Sequence, residues 1–233
     1  MARITRKELK SDRFALEVGQ TVNFFEEHRK ELLNYGTVAL AVAALIAGWL
    51  VYQRHQRAGR EEALTRAITL QEAPVSATPN SAGLNFPTQA AKDQVTMKAF
   101  STLAAKYAGT TEGEVAQYYL GAIDADASRL SDAEKHFQDV AQHGDAAFSS
   151  LARFSLAQVY YSEGRDAQGE AILRDLMNHP SALISKEQAT VTLARYLMIK
   201  KPAEARKLLD PLKTANGAVG QLVLSLYGQL PAQ

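Results

Sequence analysis

The sequence predicts an all-α chain in which one transmembrane helix is followed by a solenoid of helical hairpins. Three observations carry that expectation. No charged residue occurs from Tyr35 to Tyr52. Paired steps of a Leu followed by a small residue begin at Leu120, Leu156 and Leu193, 36 and 37 positions apart. Hydrophobic residues make up 46% of the 233 positions and charged ones 22%, while Gly and Pro are few and β-branched runs are scarce. A chain of that balance has a core to bury and favours helix over strand.

The N-terminal tail covers residues 1–34. Ser11 and Asp12 stand where a helix cap is expected, ahead of a helix beginning near Arg13. Phe14, Val18, Thr21, Val22, Phe25, Leu32 and Leu33 recur at helical spacing, with Glu17, Glu26, Glu27, Arg29 and Lys30 filling much of the remainder. Such an amphipathic helix suits the membrane interface or a partner's cytoplasmic surface, and equally a solvated lead-in to the anchor.

Residues 35–52 form the span. At a rise of about 1.5 Å per residue this helix reaches roughly 27 Å, close to the hydrocarbon thickness of a bilayer. Tyr35 marks one end and Trp49 and Tyr52 the other, as aromatic side chains do at membrane interfaces. A cleaved signal peptide fits poorly: the charged region ahead of the apolar run is 34 residues long, and no small-x-small cleavage site follows. The segment is therefore expected to be retained. Ala44 with Gly48 and Ala43 with Ala47 give four-residue spacings at which helices pack closely in lipid.

Flanking charge does not orient the span. Arg54, Arg57, Arg60 and Arg66 follow it, against Arg29 and Lys30 just ahead, which favours a cytoplasmic C-terminal domain. Arg3, Arg6, Lys7, Lys10 and Arg13 crowd the extreme N-terminus and favour the opposite direction.

Beyond the span, residues 53–72 continue as helix, with Leu64, Ile68 and Gln71 along one stripe, and residues 73–88 form a loop rich in Pro, Asn, Ser and Gly. Residues 89–233 form the repeat domain. The clearest copy has Leu120 and Gly121 on one helix and Ala133, Phe137 and Val140 on the next. A second has Leu156, Ala157 and Tyr160, a turn at Glu163-Gly164-Arg165, then Gly169, Leu173 and Leu176, ending before Pro180. A third has Leu193 and Ala194, a turn near Lys201-Pro202, then Ala205, Leu208 or Leu209, and Leu212. A partial copy with Met97, Phe100 and Leu103 precedes them. A small residue beside a large one lets the two helices of a hairpin approach closely. One hairpin cannot cover its own apolar face, so neighbours must stack.

This pattern resembles the tetratricopeptide (TPR) repeat, whose usual period is about 34 residues. The full layout of charged tail, single span, continuing helix, Pro-rich loop and divergent repeats is similar to the YfgM-like family, ancillary subunits of the SecYEG translocon. That resemblance implies a bacterial inner-membrane protein with a cytoplasmic N-terminus and a periplasmic repeat domain. It also implies translocon subunits, chaperones or secreted chains as partners.

Chemistry is sparse. There is no cysteine, which removes disulfides, thiolate metal sites and cysteine nucleophiles. The net charge of +1 gives no field to recruit nucleic acid. His28, His55, His136, His143 and His179 lack the spacing of a metal site and read as satisfied side chains. Asp124 and Asp126 lie on different sides of a helix end, where turn-capping or solvation is expected rather than acid–base work. GxGxxG, GxxxxGK[ST] and GxSxG are all absent. The reading is a non-catalytic protein without cofactor or metal.

Tyr118, Tyr119, Tyr160, Tyr161 and Tyr196 recur on the first helices of the hairpins, which in TPR arrays line the binding surface. Tyr119 and Tyr160 are expected inside. Tyr118, Arg153, Tyr161 and Arg195 are the protein-binding candidates, the arginines as carboxylate partners. The last helix carries Val219, Leu222, Val223, Leu224, Leu226 and Tyr227, too apolar for an ordinary cap, so it either folds back on the preceding hairpin or presents a binding surface. The expected function is a membrane-anchored adaptor for protein translocation or periplasmic chaperone hand-over. The alternatives are a scaffold for another envelope assembly, such as cell division or outer-membrane biogenesis, and a cytoplasm-facing regulator of inverted topology.

Overall fold

The computed structural model describes residues 29–76, 84–215 and 217–230, with side chains from Asn34 onward. The expected amphipathic helix of the tail and its cap at Ser11 and Asp12 lie outside the described residues. The described residues are all-helical. Nine α-helices occur in order: α1 Arg29–Glu72, α2 Gln89–Lys106, α3 Thr111–Asp126, α4 Leu130–His143, α5 Ala146–Ser162, α6 Asp166–Asn178, α7 Lys186–Lys200, α8 Pro202–Leu209 and α9 Ala218–Gln229. A 3-10 turn, Asp210–Leu212, follows α8. The chain divides into two compact units, Met1–Gly59 and Arg60–Gln233, and α1 contributes to both.

In the first unit, α1 is long and apolar enough to cross a membrane. Its large apolar side chains are exposed throughout, including Val38, Leu40, Leu45, Ile46, Trp49 and Val51. A helix that buries nothing and is apolar all round is stable in lipid and not in water.

The second unit opens with the end of α1. Ala67 is buried, and Ala63, Leu64 and Ile68 pack beside it against Phe100 and Leu103 of α2 and Ala116 and Leu120 of α3. Arg60 Nε donates to Glu112 Oε2 at 3.1 Å, so the first turn of this segment is fixed to the start of α3. The stretch after the span is thus the first helix of a hairpin whose second helix is α2. The loop between them is closed at its base by Phe86 N–H to Pro74 O (3.0 Å) and Ser76 N–H to Phe86 O (2.8 Å).

Three further hairpins follow, α3–α4, α5–α6 and α7–α8, and each helix packs on its neighbours in sequence. Hydroxyl and carboxylate caps start the first helices. Thr110 accepts from Gly113 N–H, Asp145 from Ala147 and Phe148 N–H, and Ser185 from Gln188 N–H. The second helices start instead after a basic residue, Arg129, Arg165 or Lys201, with no side-chain cap. In the first two of these turns the chain closes with the paired bonds of a Schellman motif. Arg129 N–H reaches Asp124 O and Ser128 N–H reaches Ala125 O; Arg165 N–H reaches Tyr160 O and Gly164 N–H reaches Tyr161 O. The motif requires positive φ, supplied by Gly164 at 74° in one copy and by Ser128 at 60° in the other.

The cores follow the repeat. Phe137 lies against Gly121, where an added Cβ would stand 2.8 Å from the ring. Leu173 and Leu209, the corresponding large residues, are fully buried near Ala157 and Ala194. Burial of each such side chain contributes about 1.5–3 kcal/mol. Tyr160 is buried as expected, but Tyr119 is only half-buried, stacked on Phe100 at a centroid distance of 4.7 Å. The terminal helix folds back: Val223, Leu226 and Leu230 join the core of α7 and α8. Of the two alternatives for this helix the fold-back is the one seen, and its other sides keep Val219, Leu222 and Leu224 exposed.

Ion pairs tie successive second helices together. Arg165 Nη1 meets Glu134 at 2.7 Å, and Lys201 Nζ meets Glu170 at 2.9 Å. Both partners advance by 36 residues from one pair to the next. Arg174 adds a link from Glu170 to Glu204.

Candidate protein-binding groove

The turn between α3 and α4 positions one edge of a groove. Of the two roles expected for Asp124, turn-capping and solvation, the structure shows the first. It is buried, receives Arg129 at 2.7 Å and faces His136 Nε2 at 3.4 Å. Ion pairing and burial fit together here, because an unpaired carboxylate at that depth is costly. With Asp124 turned inward, the next carboxylate along the helix, Asp126, is exposed on the outer side.

The groove has a volume of about 300 Å³ and runs between first helices. Ala122 and Ala125 of α3 leave the space open, and Phe137 and Val159 form apolar floor. Around them stand Tyr118, Ser155, Gln158, Ser162 and Tyr196, which offer hydroxyl and amide groups. Tyr118 Oη and Ser155 Oγ are 3.2 Å apart and join α3 to α5. Among the described residues Asp126 is the one charged residue in the lining.

Tyr196 is held in place from behind. Its ring stacks on Tyr161 at 3.8 Å with an interplanar angle of 4°. Tyr161 is wedged against Gly169, where an added Cβ would meet the ring at 2.7 Å. Its buried hydroxyl has no hydrogen-bond partner among the described residues. Burial, reinforced by the negative charge of Glu170 and Asp166, pushes the Tyr161 phenol up to about 12. Burial also raises Tyr196. Both phenols therefore stay neutral and protonated at ordinary pH.

The four sequence candidates separate. Tyr118 lines the groove. Tyr161 supports it through Tyr196 and is half-buried rather than open. Arg153 donates to Asp175 Oδ2 at 2.6 Å, so its guanidinium is engaged within the hairpin. Arg195 is exposed beside Tyr196, outside the lining. Sequence reasoning missed Ser155, Gln158 and Ser162. Their signal is faint: small polar residues on the first helices, at positions that neither pack nor cap.

A second cavity of about 350 Å³ lies among α2, α3 and α4, lined in part by Glu114, Asp139 and His143. His143 Nδ1 is 3.0 Å from Asp139 Oδ1, and Glu114 accepts from Asp145 N–H, so these groups are engaged locally. Among the described residues no group of three or more His, Cys, Asp and Glu side chains converges as a metal site would. The groove can hold polypeptide backbone through neutral donors and acceptors around an apolar floor.

No curated protein and no solved structure matches the chain. The family model of the tetratricopeptide repeat-like domain matches residues 23–206, more than half of its length. The match takes in the apolar run and the hairpins through α7 and much of α8. By sequence family and by the architecture of its hairpins, the chain belongs to the tetratricopeptide repeat-like domain family.

Proposed function

We infer that this protein is a membrane-anchored adaptor that binds polypeptide partners in the groove between the first helices of its hairpins. The observation that carries this is the groove itself. Neutral hydroxyl and amide groups ring an apolar floor there, with no acid–base pair among them. Of the sequence candidates, Tyr118 is the contact residue, Tyr161 its support, and Arg195 a rim residue for a partner carboxylate. Arg153 serves the fold through Asp175. The apolar segment of α1 anchors the protein and raises the effective concentration of the groove near membrane-bound partners.

The resemblance to ancillary translocon subunits supports a finer reading. In it the N-terminus is cytoplasmic and the repeats face the periplasm of a bacterial inner membrane. The partners are translocon subunits, periplasmic chaperones or secreted chains. A photo-crosslinking residue in place of Gln158 in the full-length protein tests it. Adducts with translocon subunits or chaperones are expected, and adducts confined to cell-division or outer-membrane assembly proteins would replace that reading with the scaffold alternative. A reporter active only in the periplasm, fused after Gln233, is expected to be active. An inactive fusion on stable, full-length protein would overturn the orientation.

A further inference from the structure

The groove carries a polarity that its overall composition hides. Asp126 is the last residue of α3 and Ser162 the last of α5, so both helices end at the same part of the groove. The C-terminus of a helix carries partial negative charge from its aligned peptide dipoles. Neither helix has a basic residue in its last turn to offset it. The basic residues that follow are committed elsewhere: Arg129 to Asp124, and Arg165 to Glu134 and Glu163. Asp126 makes no ion pair among the described residues. Two helix C-termini and one carboxylate therefore form a negative pole on an otherwise neutral surface.

We propose that the groove prefers extended polypeptide segments carrying a lysine or arginine, whose cation sits against Asp126 at the ends of α3 and α5. The proposal rests on the groove being the partner-binding surface. The hydroxyls of Tyr118, Ser155 and Tyr196 and the amide of Gln158 address the segment's backbone without regard to sequence, and the pole at Asp126 selects its charge. A partner with glutamate or aspartate at the same place would meet like charge.

The test uses the full-length protein in nanodiscs of zwitterionic lipid, so that the bilayer itself does not attract cationic probes. Three fluorescent 12-residue Gly/Ser/Ala peptides carry Lys, Gln or Glu at their centre, and binding is read by anisotropy at low salt. The Lys peptide is expected to bind tightest and the Glu peptide weakest. Asp126→Asn should weaken the Lys peptide by up to about fivefold, as an exposed ion pair allows, with little change for the Gln peptide. The Lys preference should also shrink as salt rises. Equal binding of all three peptides, unchanged by Asp126→Asn, would overturn the charge preference while leaving the groove reading intact. Failure of every peptide to bind, or binding that persists after Gln158→Arg obstructs the groove in a variant of unchanged helix content, would overturn the groove reading.

Discussion

Replacing Gly121 by Ala puts two opposed effects on one atom. Gly121 lies inside α3, where alanine is favoured over glycine by about 1 kcal/mol in backbone propensity. The new Cβ, however, would stand 2.8, 2.9 and 3.1 Å from three atoms of the Phe137 ring. Ordinary contact begins near 3.4 Å, so the ring or the helix must move by roughly half an ångström. Phe137 is 2% exposed and packed among Ala133, Val140, Leu156 and Tyr160, so any shift of the ring must go toward the groove it floors and costs contacts on the core side. Overpacking of this kind costs about 1–3 kcal/mol. The net expectation is a loss of about 0–2 kcal/mol, or a midpoint lowered by about 2–4 °C per kcal/mol for a chain of this size. Gly228 of α9 provides the control, because its Cβ would meet nothing within 4 Å. Gly228→Ala should therefore raise stability by up to about 1 kcal/mol. Urea unfolding of the full chain in mild detergent, followed by far-UV circular dichroism, measures both. Phe137→Leu, which trims the ring, should couple to Gly121→Ala by at least about 0.5 kcal/mol in a double-mutant cycle. A Gly121→Ala protein as stabilised as Gly228→Ala, with no coupling to Phe137, would refute the close approach.

Three other outcomes follow from particular atoms. Ser128→Gly should raise stability by up to about 1 kcal/mol in the same assay, because Ser128 holds φ at 60° where its counterpart is Gly164. Tyr161→Phe should leave stability unchanged or raise it, since it removes a buried hydroxyl that has no partner among the described residues. In the native protein, absorbance at 295 nm should show a tyrosine ionising near pH 12, and that step should be lost in Tyr161→Phe. In acid, the ladder should fail in a defined direction. Arg165 holds Glu134, and Lys201 and Arg174 hold Glu170, below the ordinary carboxylate value of 4.5. A depressed folded pKa gives stability that is present above the unfolded value and lost as pH falls through the folded one. Unfolding midpoints should therefore drop below about pH 4.5, and Glu134→Gln should flatten that acid limb.

The helices and their pairing were legible because the repeat writes them in residue size. Leu120-Gly121 against Phe137, Leu156-Ala157 against Leu173 and Leu193-Ala194 against Leu209 are local patterns, and each hairpin stacks as its apolar residues require. The buried Ile184 was not legible. It precedes the cap Ser185 and packs near Ala189 as a hydrophobic staple, a role visible only once the helix start is known. Asp124 was legible in part for a similar reason: a turn-capping role was among those expected, but its burial was not. A carboxylate near a helix end is normally solvated, and only the reach of Arg129 and His136 across the turn makes its burial tolerable. The groove was half-legible. Its tyrosines stand out in the sequence, whereas the neutral Ser155, Gln158 and Ser162 become a surface only when α3 and α5 lie side by side. The charge ladder left a readable trace, Glu134 and Glu170 in step with Arg165 and Lys201, but such surface charges look like solubility until their partners are paired.

That step of 36 residues makes the hairpin interfaces interchangeable parts. The basic residue ending one turn faces the glutamate of the preceding second helix at both junctions where the pair occurs. A duplicated stretch covering residues 130–165, inserted after Arg165, would carry its own glutamate and its own arginine to either new junction. The apolar faces would meet in the same order. Stack length in this architecture is therefore open to growth by tandem copying of one gene segment, with each added unit inheriting both the glue and the register of the unit it was copied from.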